Sequence, residues 1–171
     1  GTLTPPNGSV ADADRFMQEA AEALPDAAHL DLIGQYLFKY VYDSPASTDP
    51  LLVGTRAING DIHQTAVETI ATAAGGRCRG DCDDLSELYQ QIAGMQGKTA
   101  HIISLPQHAA LAWAEDREGK WHTYIMQTGP TLEFTADRLQ DSLAAAYQRF
   151  DASDTFDPNG LGLLLRFSGE N

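Results

Sequence analysis

Cys82 is the residue in this sequence best placed for covalent chemistry. It follows the stretch Gly75-Gly76-Arg77-Cys78-Arg79-Gly80-Asp81 and stands where a new apolar periodicity begins. That placement opens a helix after a glycine-rich approach that lets the backbone turn sharply. At a helix start, unpaired N–H groups and the positive end of the dipole favour thiolate over thiol, and the same groups can receive a developing oxyanion. Arg77 and Arg79 add positive charge, whereas Asp81, Asp83 and Asp84 raise the thiol pKa wherever their carboxylates face the sulfur. For Cys78 the simplest reading is an inert thiol. The alternatives are a redox pair with Cys82, a resolving thiol or the nucleophile itself. Two cysteines this close make no disulfide framework, and Cys78 and Cys82 with His101 or His108 match no common zinc spacing. Neither a metal nor a cofactor is expected.

The 171 residues carry 11 Lys+Arg against 24 Asp+Glu, a formal charge of −13. A surface this acidic repels phosphate backbones, and no basic run overrides it, so nucleic acid is not an expected partner. The apolar runs, such as Leu161 to Leu165, fall far short of the roughly 20 residues a membrane span requires, so no insertion is expected. Hydrophobic residues make up 43% of the chain, which places it among folding sequences. One domain over residues 1–171 is expected, with 1–10 as an irregular leader. The sequence opens on Gly1 rather than Met, which suggests a trimmed N-terminus. The acidic, lysine-poor surface is compatible with export to the periplasm or beyond, and compartment and oligomeric state stay open.

The elements that must position Cys82 follow from periodicity and breakers. Phe16, Met17, Ala20, Ala21 and Leu24 mark a helix over about Ala11 to Leu24, ended by Pro25. A broad apolar stripe predicts a second helix over Ala28 to Tyr42, and Ser44 to Asp61 reads as a long connection that can shape a cleft. Helices are expected again over Ile62 to Ala74 and Asp81 to Gly94. The alternation then changes to period two, predicting strands over Ala100 to Leu105, Ala109 to Ala114 and Lys120 to Met126, the last two joined by a turn from Glu115 to Gly119. Thr135 to Phe150 returns to helical spacing, and Leu161 to Phe167 can add a final strand. Helices first and an antiparallel meander after them predict an α+β fold.

With that order of elements, Gly80-Asp81-Cys82-Asp83-Asp84-Leu85, then Ile102 to Leu105, then His108-Ala109-Ala110-Leu111-Ala112-Trp113 and a strand holding Trp121 resemble the transglutaminase-like superfamily of papain-related cysteine enzymes. The resemblance, to a bacterial-type transglutaminase-like domain, covers roughly residues 28 to 130. It implies a papain-like fold with the nucleophile helix packed on an antiparallel sheet. It also implies that Cys82 attacks an acyl carbon and that His108 accepts and returns the proton. The family usually has an Asp shortly after the tryptophan of the next strand, but Trp121 to Phe134 contains no Asp, with Glu133 its one acid. A four-residue turn over Asp116 to Gly119 would pair Glu115 with Lys120 and set Gln127 opposite His108. Gln127 could then accept the imidazole Nδ1–H, and an odd-length turn would bring Thr128 there instead. His108, Ala110, Ala112 and Ala114 share one strand face, on which three alanines would let the cysteine helix approach closely.

The resulting expectation is a cysteine-dependent acyl-transfer enzyme acting on a peptide or protein amide, as peptidase or amidase, or as transglutaminase where an amine outcompetes water. A catalytically inactive binding module of the same fold within a larger protein is the alternative, motivated by the missing Asp; a thiol redox protein is a third. His29, His63, His101 and His122 read as structural or solvated, and Trp113 and Trp121 as core.

Overall fold

The computed structural model describes residues 2–41, 56–58, 61–98, 100–105, 108–128 and 130–150. Within these the order is a 3-10 turn Val10–Asp12, then α1 (Ala13–Ala23), α2 (Ala27–Leu30), α3 (Leu32–Tyr36), β1 (Phe38–Tyr40), β2 (Arg56–Ile58), β3 (Asp61–His63), α4 (Ala66–Ala71), β4 (Cys78–Gly80), α5 (Cys82–Met95), β5 (Ala100–Leu105), β6 (His108–Arg117), β7 (Lys120–Met126), β8 (Leu132–Ala136) and α6 (Leu139–Phe150). The fold is mixed α and β, as the change of period predicts. Among the described residues no helix is long and apolar enough to cross a membrane.

The expected helix over Ala28 to Tyr42 is not continuous. It breaks into two short helices, and Phe38–Tyr40 becomes a strand paired in parallel with β4, Phe38 opposite Cys78 and Tyr40 opposite Gly80. The aromatic-rich end of that segment favours an extended chain, and a partner strand fixes the choice. The predicted helix over Ile62 to Ala74 begins only at Ala66, where Thr65 and Glu68 form a reciprocal capping box; the residues before it pair as β3 with β2. Likewise the helix predicted from Thr135 starts at Leu139, because Leu132–Ala136 completes the sheet as β8. The strand expected over Leu161 to Phe167 lies outside the described residues.

Strands β5 to β8 form a four-stranded antiparallel meander in chain order. The β6–β7 connection is a two-residue turn, not the four residues expected, so Arg117 pairs with Lys120 and Leu111 with Met126. Glu118 and Gly119 both have positive φ, 55° and 80°, the geometry whose twist matches that of the strands it joins. Gly119 accepts a left-handed backbone without strain, which permits this tight closure.

Both faces of the meander are covered. On one, α5 packs through Leu85, Leu88, Tyr89, Ile92 and Ala93 against Leu111, Trp113, Tyr124 and Met126, in one core with Phe16, Met17 and Ala20 of α1. Each fully buried aliphatic side chain here contributes about 1.5–3 kcal/mol. On the other, Leu139, Leu143 and Ala146 of α6 sit over Ala110, Ala112 and Ile125. Ala110 and Ala112 therefore receive α6 and not the cysteine helix, which corrects the expected facing for the even-numbered register of β6, to which the position of His108 also belongs. Alternation identifies the two faces of a strand but not which helix lies on each.

The turn yields a stability test. Glu118 occupies a left-handed position that costs a non-glycine residue roughly 1–2 kcal/mol, and asparagine tolerates it better. Glu118→Asn is expected to stabilise the fold by about 0.5–1 kcal/mol, read as a higher urea midpoint at unchanged slope. A four-residue loop would show no gain.

Candidate active site

Cys82 is the first residue of α5 and Asp81 is its N-cap, in extended conformation, so the helix starts at the thiol as expected. The turn leading into it is held from below. The Asp84 carboxylate, 1% exposed, accepts the main-chain N–H of Gln64 at 3.0 Å and of Asp81 at 3.1 Å, and the Gln64 side-chain amide at 3.3 Å. Gln64 also donates to the Arg79 carbonyl at 3.0 Å, and the Arg79 N–H donates to the buried Thr72 hydroxyl at 2.7 Å, which ties β4 to the end of α4. The Ser86 hydroxyl donates to the Cys82 carbonyl at 2.7 Å. In sequence Asp84 reads only as one of three carboxylates that raise the thiol pKa where they face the sulfur. The signal that could have singled it out is its place three residues after the N-cap, where an acidic side chain can reach back to the cap.

Cys82 is a free, half-buried thiol whose sulfur lies between the first turn of α5 and the start of β6. Burial pushes its pKa up. The Ala109 N–H favours the thiolate, the Asp81 and Asp83 carboxylates oppose it, and the Asp83 N–H favours it again, with a net upward shift. The role of Ala109 follows from the ladder. In a two-residue hairpin the closing pair is hydrogen-bonded, so the odd-numbered residues of β6 turn their main-chain groups toward β7. The described β6–β7 pairs end at Leu111 and Met126, and Ala109 is the next odd position beyond them. Its N–H points past the end of the ladder, where the sulfur sits.

His108 is the first residue of β6, paired with Leu105 across the β5–β6 hairpin and adjacent to Ala109. Its side chain lies outside the described residues. β7 ends at Met126, opposite Leu111, so Gln127 and Thr128 lie beyond the pairing and Gln127 is not the cross-strand match of His108 that a four-residue turn implied. Gln127 is half-buried, and its amide donates to the Pro130 carbonyl at 2.9 Å. The backbones carrying Cys82, His108 and Gln127 thus meet at one end of the β6–β7 pair. Glu133, the one acid between Trp121 and Phe134, serves elsewhere: it accepts from Nδ1 of His122 at 2.6 Å, and that ring stacks on Tyr124. His29 is exposed beside Asp26, and Trp113 is core, with Lys98 Nζ 4.0 Å from its ring centre.

Cys78 is fully buried on β4 and its thiol is pushed up to about 12 by that burial, so it stays a thiol at any ordinary pH. The donor atoms of Asp81, Cys82 and Asp83 lie within 4.8 Å of one another, close enough to share a cation. Complementing the positive end of α5 gives the two carboxylates a role without one. Compared with family models, curated proteins and solved structures, the chain matches none.

A thiol at a helix start with N–H groups around its sulfur can support attack on a carbonyl carbon once a base takes its proton. The two carboxylates set how readily that happens. Removing one like charge favours the thiolate, so Asp83→Asn is expected to lower the pH midpoint of Cys82 alkylation and to speed labelling at neutral pH. Mass-spectrometric quantification of iodoacetamide labelling from pH 5 to 10 checks the shift.

Proposed function

We propose that this chain is a cysteine-dependent acyl-transfer domain of transglutaminase-like, papain-like architecture, acting on a peptide or protein amide. The observation that carries the reading is the Cys82 sulfur at the first turn of α5, against the main chain of the strand that begins with His108. His108 takes the Cys82 proton as the sulfur attacks the amide carbon, and the oxyanion turns toward N–H groups at the helix start. The imidazolium returns the proton to the leaving amine, leaving a thioester on Cys82. Water then resolves the thioester in a peptidase or amidase, and an amine resolves it in a transglutaminase. The neutral acceptor for the imidazole Nδ1–H is assigned to the residues that leave β7, Gln127 or Thr128, although the two-residue turn removes the register that set Gln127 opposite His108.

A second reading, a binding module of the same architecture without turnover, is favoured by one observation. Burial and two carboxylates hold the thiol protonated, so the imidazole has to supply all of the compensating charge. Alkylation against pH separates the two readings. For the enzyme, Cys82 labels rapidly well below the free-thiol value of about 8.5, and His108→Ala abolishes that low-pH limb. On a peptide and amide panel, Cys82→Ala abolishes turnover and His108→Ala lowers it about 10²–10⁴-fold. Labelling that rises only at alkaline pH, unchanged in His108→Ala, sinks the dyad and leaves the binding module.

A further inference from the structure

We propose that Asp84 is the positioning residue for Cys82: its buried carboxylate clamps the passage from β4 into α5 and thereby fixes where the sulfur sits against β6. Three donors from two segments converge on this one side chain, the Gln64 main chain and amide ahead of α4 and the Asp81 N–H immediately before the thiol. The strand entering the turn is shaped around it. A Cβ on Gly80 would stand 2.6 Å from Asp84 Oδ2 and 2.7 Å from its Cβ, so only glycine lets β4 pass this close. A capping side chain needs no such burial, because most helix starts are satisfied at the surface. A charge withdrawn from water and surrounded by N–H donors is instead a device that selects one backbone arrangement. The arrangement selected here places the Asp83 and Ala109 N–H groups on the sulfur.

This inference rests on Cys82 as the reacting group, and its test reads the thiol itself, so failure to find turnover leaves it standing. Iodoacetamide labelling of Cys82 is followed against pH in the wild type, Asp84→Asn, Gln64→Ala and the double variant. Ile92→Val, a fully buried change later on α5, is the stability control. In Asp84→Asn and Gln64→Ala the labelling midpoint moves toward the free-thiol value of about 8.5 and the plateau rate rises, with near-UV circular dichroism still that of a folded protein. The double variant shifts no further than Asp84→Asn alone, because both act through one clamp. Ile92→Val lowers the melting temperature and leaves the profile in place. A folded Asp84→Asn with the wild-type profile overturns the proposal, as does an equal shift in Ile92→Val. If Asp84→Asn does not fold, Gln64→Ala decides: it keeps the main-chain donors and removes the amide, and an unchanged profile overturns the proposal.

Discussion

A carboxylate taken out of water has to be matched by donors, and the geometry around Cys82 is organised by that requirement. Asp84 finds its donors in the segment ahead of α4 and in the residue just before the thiol, so α4, β4 and α5 are joined through one side chain. Gly80 is bare of a side chain at that point, and Thr72 and Gln64 satisfy the Arg79 main chain beside it. The helix start is thus part of a buried polar lattice, not a frayed end. Such a lattice is worth more as a specifier of one arrangement than as a source of stability, since an apolar core of the same volume would fold as well.

The sheet adds the second constraint. With α5 on one face and α6 on the other, Ala110 to Trp113 of β6 are committed to the two cores. Where the described β6–β7 pairing stops, the Ala109 N–H is turned beyond the ladder, and the Cys82 sulfur occupies that end. The thiol therefore meets β6 through the Ala109 N–H and not through an alanine surface. Gln127 and Thr128 leave β7 at the same end, which is why chain segments distant in sequence converge there.

Electrostatics at the thiol are divided. Two N–H groups favour the thiolate, while burial and the Asp81 and Asp83 carboxylates outweigh them. Asp81, 7% exposed, is too buried for solvent to screen it well. A site with this balance keeps its sulfur neutral until a base approaches. That suits acyl transfer gated by His108, and it equally suits a retired nucleophile in a binding module. Cys78 is removed from both readings by complete burial.

The sequence by itself determined that Cys82 opens a helix, and it determined most of the elements around it. The glycine-rich approach, the acidic first turn and the apolar spacing after it place Cys82 at a helix start, and the change to period two yields the central strands of the meander. These are local signals, written in neighbouring residues. The break after Tyr36, the two-residue turn at Glu118 and Gly119, the choice of α6 for the alanine face and the burial of Asp84 were decided only in the tertiary structure. All but the turn depend on a partner far away in the chain: β4 for the aromatic strand, Leu143 for Ala110 and Ala112, Gln64 for Asp84. Periodicity reports that a face is apolar or that a carboxylate begins a helix. What packs on that face, and whether water reaches that carboxylate, is set by contacts between segments that no local pattern encodes.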